Sequence, residues 1–100
     1  MNLKLSKRGF IDTVSKLQPK QYKQVFDKVC RLLSDPTPQD SIQLKGYEYS
    51  ILYRVTVGEF RIIYAIENDT LNILLLGKRN DDEVYKALKR IMQWLLMLPN

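Results

Sequence analysis

The chain has 100 residues, with 16 Lys or Arg, 11 Asp or Glu, one Cys and no His, and a formal net charge of +5. This length allows one domain with one modest core, and an apolar content of 45% is typical of a chain that folds. Without histidine and with only Cys30, the sequence excludes an internal disulfide, the usual zinc sites and every Ser-His or Cys-His catalytic arrangement. We therefore expect a single domain, residues 1–100, without a metal ion or cofactor.

The chain carries no pattern of export or membrane insertion. Its basic N-terminus is not followed by an apolar segment, and the longest apolar run, Trp94–Leu98, is far too short to span a bilayer. The single cysteine suits a reducing compartment, so the predicted location is the cytoplasm, away from membranes.

Positive charge is concentrated near the N-terminus. Residues 1–31 hold eight basic and two acidic residues, a net charge of +6. Such a surface attracts polyanions, chiefly nucleic acid, by neutralising phosphates. The alternative is an ordinary solvated helix face.

The N-terminal third predicts a short edge strand over residues 2–5 and then two helices. Ser6 can cap the first helix, which Pro19 ends, and Pro19 suits the first turn of the second helix. The helices form an αα-hairpin through two apolar stripes, one of Phe10, Val14 and Leu17 and one of Tyr22, Val25, Phe26, Val29, Leu32 and Leu33. Cys30 flanks the second stripe and is expected to pack.

After a predicted loop from Ser34 to about Gly46, the apolar period changes to two. Three strands follow: Glu48–Val57, Phe60–Glu67 and Thr70–Leu76. Gly58-Glu59 suits a type II′ turn and Asn68-Asp69 a type I′ turn. The predicted antiparallel register pairs Thr56 with Arg61, Arg54 with Ile63, Arg61 with Leu76, and Ile63 with Leu74.

This register sorts the side chains onto two faces. An almost wholly apolar face should meet the helices: Tyr49, Ile51, Tyr53, Val55, Ile62, Tyr64, Ile66, Leu71, Ile73 and Leu75. The other face carries two arginines among apolar residues: Leu52, Arg54, Thr56, Arg61, Ile63, Ala65, Asn72, Leu74 and Leu76.

Arg54 and Arg61 lie on neighbouring strands, with β-carbons roughly 7–8 Å apart or less. Like charges this close are unfavourable unless an anion or a carboxylate lies between them. Surface pairs with Glu48, Glu59 or Glu67 are the alternative, but such pairs contribute only about 0–1 kcal/mol. We therefore favour an anion site.

The C-terminal part predicts one more helix. Asn80 is a suitable N-cap with Glu83 completing a capping box, and this explains the acidic run better than a metal site does. The helix has a stripe of Val84, Leu88, Ile91 and Leu95, with Tyr85 beside it. The predicted architecture is α+β: an N-terminal strand, an αα-hairpin, a three-stranded antiparallel meander and a C-terminal helix.

This order of elements resembles the RelE/ParE superfamily of toxins from bacterial type II toxin–antitoxin systems. The similarity covers nearly the whole chain and rests on Leu44-Lys45-Gly46, Tyr53-Arg54, Gly58-Glu59-Phe60-Arg61-Ile62-Ile63-Tyr64, Gly77-Lys78-Arg79 and Glu83-Val84-Tyr85. The RelE branch cleaves mRNA in the ribosomal A site without a metal ion, whereas the ParE branch inhibits DNA gyrase.

The resemblance to RelE implies a catalytic set of Arg54, Arg61, Arg79 and Tyr85, with RNA-binding residues Lys45, Lys78, Lys20 and Lys23. The 2′-hydroxyl of the RNA would attack the adjacent phosphate, leaving a 2′,3′-cyclic phosphate and a 5′-hydroxyl. The arginines would bind the phosphoryl oxygens and stabilise the leaving group. Tyr85 would stack on a base, orient the 2′-hydroxyl or transfer a proton, and Lys78 is a reserve base.

Simpler roles remain open for two of these residues, and two positions depart from the RelE pattern. Arg79 can instead pair with Asp82 or Glu83, and Tyr85 can pack against Leu76. Leu52 stands where ribosome-dependent members often carry lysine, and position 54 is Arg rather than Lys. The identity of the general base is therefore open.

The resemblance also implies partners: a cognate antitoxin, mRNA and the rRNA of the ribosome, with operator DNA contacted only through the antitoxin. Two other functions stay open, a non-catalytic ParE-like inhibitor of DNA gyrase and a binding module without toxicity.

Overall fold

Five strands form one mixed sheet in the order β1-β5-β4-β3-β2. The computed structural model describes residues 1–44, 51–78, 85–90 and 93. Its elements are β1 (Asn2–Leu5), a π-helical segment (Lys7–Ile11), α1 (Asp12–Val14), α2 (Pro19–Ser34), β2 (Ile42–Leu44), β3 (Leu52–Val57), β4 (Phe60–Glu67) and β5 (Thr70–Lys78). Residues 85–90 are also helical.

The α+β architecture confirms the predicted fold. β1 pairs in parallel with β5 at one edge, and β2 to β5 are antiparallel. The sheet has one strand more than the sequence indicated, because β2 lies in the segment predicted as a loop. With three residues, β2 is too short for an alternating pattern to identify it.

Both hairpin turns have the predicted backbone. Gly58 has φ of 58° and is followed by a residue with negative φ, as a type II′ turn requires. Asn68 and Asp69 both have positive φ, 48° and 60°, as in a type I′ turn. The β3–β4 register, with Thr56 opposite Arg61 and Arg54 opposite Ile63, is also the predicted one.

The predicted β4–β5 register is right from Tyr64 to the Asn68-Asp69 turn and wrong from Phe60 to Ile63. Tyr64 pairs with Ile73 as expected, but Ile63 pairs with Leu75 and Arg61 with Gly77, because a β-bulge adds Leu74 to β5. One extra residue exchanges the two faces for the rest of the strand. Leu76 therefore belongs to the core beneath the helices, and Leu75 to the opposite face.

The main core lies between the helices and one face of the sheet, which we call the helix face. Val25, Val29 and Leu32 of α2 are buried there, as the apolar stripe predicted. The Phe10 ring meets Phe26 edge-on with centroids 6.0 Å apart. Three expectations fail at the edge of this core, because Cys30 is exposed, Tyr22 is 45% exposed, and Ile51, predicted on the apolar face, is 59% exposed.

The first predicted helix is shorter and less regular than expected. Ser6 caps it as predicted, since its Oγ accepts a hydrogen bond from the Gly9 amide at 3.2 Å. The turn that follows is π-helical, and its Gly9 lies directly against β5. A β-carbon added at Gly9 would lie 1.9 Å from the Leu74 carbonyl oxygen.

A second apolar cluster covers the opposite face of the sheet, which we call the site face. Leu52, Ile63, Ala65 and Leu75 are buried beneath Leu88 of the C-terminal helical residues. Among the described residues, no helix combines the length and apolar character that a bilayer crossing requires.

The segment between α2 and β2 is held at two points. The Tyr64 hydroxyl donates to the Pro36 carbonyl at 2.7 Å, and Lys28 Nζ lies 2.7 Å from an Asp40 carboxylate oxygen. The hydrogen bond from Lys28 lowers the pKa of Asp40. These contacts fix the backbone that leads into β2.

Replacing Gly9 with alanine should destabilise the protein strongly, because no small movement relieves a contact with backbone. We expect a loss of about 3 kcal/mol, seen as a fall in Tm of about 10 °C or more. Lys7→Ala, an exposed change in the same segment, should leave Tm nearly unchanged. Equal stability of the two variants would contradict the close approach.

Tyr64 predicts a loss of stability at high pH. Burial raises its pKa from the usual value near 10 to about 12. A pKa raised by folding contributes stability that is complete below pH 10 and is lost as the pH rises towards 12, by up to about 1.4 kcal/mol per pH unit. Urea unfolding below and above pH 10 should show this extra loss in the wild type and not in Tyr64→Phe. The same pH slope in both proteins would contradict it.

Candidate functional site

Two arginines project from the centre of the sheet onto the site face. Arg54 on β3 and Arg61 on β4 alternate with Val55 and Ile62, which point into the helix-face core. They are offset by one cross-strand pair, as the β3–β4 register predicted. We call them the arginine pair.

The two guanidinium groups converge on one phenol oxygen. Nη1 of Arg54 donates to the Tyr85 hydroxyl at 3.0 Å, and Nη1 of Arg61 donates to it at 2.7 Å. The Arg61 guanidinium carbon also lies 5.7 Å from the centre of the Tyr85 ring. Three of the four residues predicted as catalytic are therefore in one cluster. Since the hydroxyl oxygen accepts both bonds, its own proton remains available for donation.

The arginine pair keeps unused donors. The Nε groups of Arg54 and Arg61 are buried and have no hydrogen-bond partner in the part of the chain described. Within that part, neither guanidinium forms an ion pair with a carboxylate, and Glu59 instead accepts a hydrogen bond from Gln21 at 2.6 Å. A buried unsatisfied donor costs about 1–3 kcal/mol or more when charged. The cluster is thus suited to an anion, for which guanidinium is the best-matched side chain.

The bulge in β5 determines what stands beside Arg61. Gly77, not the predicted Leu76, is its cross-strand partner, so no side chain rises next to Arg61 on that strand. Lys78 pairs with Phe60 and shares its face, the helix face. Lys78 therefore points away from the arginine pair.

The remaining predicted residues are dispersed or undescribed. Lys20 and Lys23 are exposed on α2, on the far side of the sheet from the arginine pair. Lys45, Arg79 and the predicted helix start at Asn80 lie outside the described residues, as do Val84, Ile91 and Leu95 of the predicted stripe. Among the residues described, no three acidic or sulfur side chains are grouped so as to hold a metal ion.

Two residues near the arginine pair were not assigned a role from sequence. Leu52, at the position where a lysine is often found, is fully buried in the apolar cluster. Ile42 is the cross-strand partner of Arg54 and is 51% exposed. The sequence did not predict β2, and only that strand would have placed Ile42 beside Arg54.

An anion site at the arginine pair should be visible in thermal unfolding. An anion present at ten times its Kd stabilises the folded state by about 1.4 kcal/mol, which raises Tm by several degrees. We expect inorganic phosphate to raise the Tm of the wild type and of Arg31→Gln, an equal charge change on α2, more than that of Arg61→Gln. Equal responses in all three would indicate only a general salt effect and contradict the site.

A protein-family model described as "ParE toxin of type II toxin-antitoxin system, parDE" matches residues 8–83. No curated protein matches the chain by sequence.

Several solved structures have a similar fold. The archaeal RelE–RelB complex from Pyrococcus horikoshii OT3 matches with 26% identity and a TM-score of 0.68, over 78% of this chain and 93% of that one. The isolated E. coli RelE toxin matches with 23% identity and a TM-score of 0.66, over 90% of this chain and 97% of that one. The toxin–antitoxin complex RelBE2 from Mycobacterium tuberculosis matches with 20% identity and a TM-score of 0.65, over 78% and 96%.

Proposed function

The chain belongs to the family of ParE toxins of type II toxin–antitoxin systems, and we propose that it is a metal-independent endoribonuclease that cleaves mRNA at the ribosome. One observation supports this activity above all others: the convergence of Arg54 and Arg61 on the Tyr85 hydroxyl. A toxin acting only through its surface has no need of two like charges and a phenol held together in this way.

The reaction needs no group from outside the RNA and the protein. The 2′-oxygen of one nucleotide forms a bond to the adjacent phosphorus as the bond from phosphorus to the 5′-oxygen breaks. The 2′-hydroxyl proton passes to a base of the site, and an acid of the site delivers a proton to the 5′-oxygen, so the protein gains and loses no proton overall. The products are a 2′,3′-cyclic phosphate and a 5′-hydroxyl end, and no electrons are gained or lost.

In this scheme the arginine pair binds the non-bridging phosphoryl oxygens and stabilises the charge that develops on them. Tyr85 is assigned to orient the 2′-hydroxyl or to transfer a proton there, because its oxygen lies between the two guanidinium groups that would hold the phosphate and its own proton is available for donation. Neither Leu52, which is buried and apolar, nor Lys78, which points to the helix face, serves this role. Arg79 is assigned to the leaving group.

The proposed binding partners are RNA, from the distribution of charge, and an antitoxin, from the solved relatives. Lys20 and Lys23, exposed on α2, and Lys45 and Lys78 are proposed to contact RNA phosphates of the message and the ribosome. A cognate antitoxin is the proposed protein partner, since solved relatives include a RelE–RelB complex. We propose that the toxin acts in the cytoplasm and meets operator DNA only through the antitoxin.

Inhibition of DNA gyrase is the second candidate function. The specific observation in its favour is that the matching family model is described as a ParE toxin. It predicts that cellular messages remain intact while DNA is damaged, and that the arginine pair is dispensable for toxicity.

Loss of the cluster should abolish mRNA cleavage. We expect Arg61→Ala and Tyr85→Phe each to lower the cleavage rate by about 100-fold or more, because each removes a group that acts on the reacting phosphodiester. The measurement is primer extension on a defined message after induction in cells, together with growth arrest.

Arg31→Ala is the matched control, since it removes one exposed arginine from the other side of the sheet. It should cut at the wild-type rate. Discrete cuts within codons that disappear in Arg61→Ala and Tyr85→Phe would support the ribonuclease. Undiminished toxicity of both variants with intact message would overturn it in favour of gyrase inhibition.

A further inference from the structure

Ile42 lies beside the arginine pair on the site face. It is the cross-strand partner of Arg54, so the two β-carbons are about 4.5–5.5 Å apart. Two positions further along β2, Leu44 packs in the site-face cluster, which places Ile42 on the same side by alternation. A single exposed isoleucine is ordinary on a protein surface. This one directly flanks a pair of cations with unused donors.

The approach to the arginine pair differs on its two sides. On the β4 side, Arg54 adjoins Ile63, which is fully buried in the cluster under Leu88. On the β2 side it adjoins Ile42, of which 51% is exposed. A phosphodiester bound at Arg54 therefore has an open apolar neighbour in the direction of β2.

Ile42 is also held in place. The Ser41 amide donates to the Pro38 carbonyl at 2.9 Å, Asp40 pairs with Lys28, and Pro36 accepts the Tyr64 hydroxyl. The backbone that presents Ile42 is thus fixed to α2 and to β4, so the side chain offers a preformed surface rather than a mobile one.

We propose that Ile42 is a substrate-positioning residue that contacts the nucleobase next to the cleaved phosphodiester. The inference rests on the proposed ribonuclease function and adds a base contact to it. A nucleotide joins a charged phosphate to a flat, largely apolar base, and a cation with an adjacent exposed aliphatic side chain matches both parts. Unstacked bases are commonly held by apolar or aromatic side chains in this way. The adjacent arginine pair favours RNA over a protein as the occupant.

The test uses the full-length toxin on ribosomes programmed with a defined mRNA, with toxin in excess and a single turnover followed. Ile42→Ala should raise the half-saturating toxin concentration about 3- to 10-fold and leave the plateau cleavage rate within about twofold of the wild-type rate. The reason is that the lost contact contributes to RNA binding and not to the cleavage step. The distribution of cuts among neighbouring bases should also broaden.

Two variants serve as controls. Ile42→Val keeps a β-branched apolar side chain and should behave nearly as the wild type. Leu3→Ala shortens an aliphatic side chain that is 41% exposed on the opposite edge strand and should change neither quantity. Tm values of all three variants close to that of the wild type exclude a folding effect.

The inference is overturned if Ile42→Ala and Leu3→Ala give the same half-saturation and the same cuts. It is also overturned if Ile42→Ala weakens only the binding of the antitoxin, which would assign the residue to a protein interface. If the wild type makes no cuts at all, the proposed function itself fails. If the wild type cuts normally and Ile42→Ala is unaffected, only the inference about Ile42 fails.

Discussion

The backbone of Gly9 lies against the carbonyl oxygen of Leu74, the one residue that β5 inserts into its pairing with β4. Much of the molecule depends on this inserted residue. The inserted residue sends Leu75 to the site face and Leu76 to the helix face, so both layers receive apolar side chains. It also brings Gly77 opposite Arg61. The same bulge therefore shapes both cores and leaves the β5 position directly opposite Arg61 without a side chain.

The site combines a rigid part with a docked part. The arginines come from the centre of the sheet, where β3 and β4 are each paired on both sides and their backbone is fixed. Tyr85 comes from the C-terminal helical residues, which are held on the sheet through Leu88 in the site-face cluster. Apolar packing thus holds a phenol oxygen where two like charges meet, and the hydrogen bonds it accepts partly offset their repulsion.

Sequence patterns predicted the features that depend on local chemistry. Gly58-Glu59 and Asn68-Asp69 specified their turns, and the first turn fixed the register that places Arg54 near Arg61. The bulge could not be predicted, because Leu74-Leu75-Leu76 is apolar in every register and contains no alternation to break. β2 was not predicted because three residues are too few to show an alternation of polar and apolar side chains. The position of Ile42 was therefore not predicted either. That Tyr85 reaches both guanidinium groups depends on how a distant helix packs, which no local pattern encodes.

The parallel pairing of β1 with β5 has a consequence for how the protein folds. It joins Asn2 to Thr70, whereas the β3–β4 and β4–β5 hairpins join near neighbours in sequence. Hairpins close within microseconds, but contacts across so long a stretch of chain come at a larger entropic cost and are slow to form. During synthesis β1 leaves the ribosome before the other four strands described, yet its partner, β5, is the last of them to be made. Of the five strands described, the earliest in sequence is therefore among the last to dock.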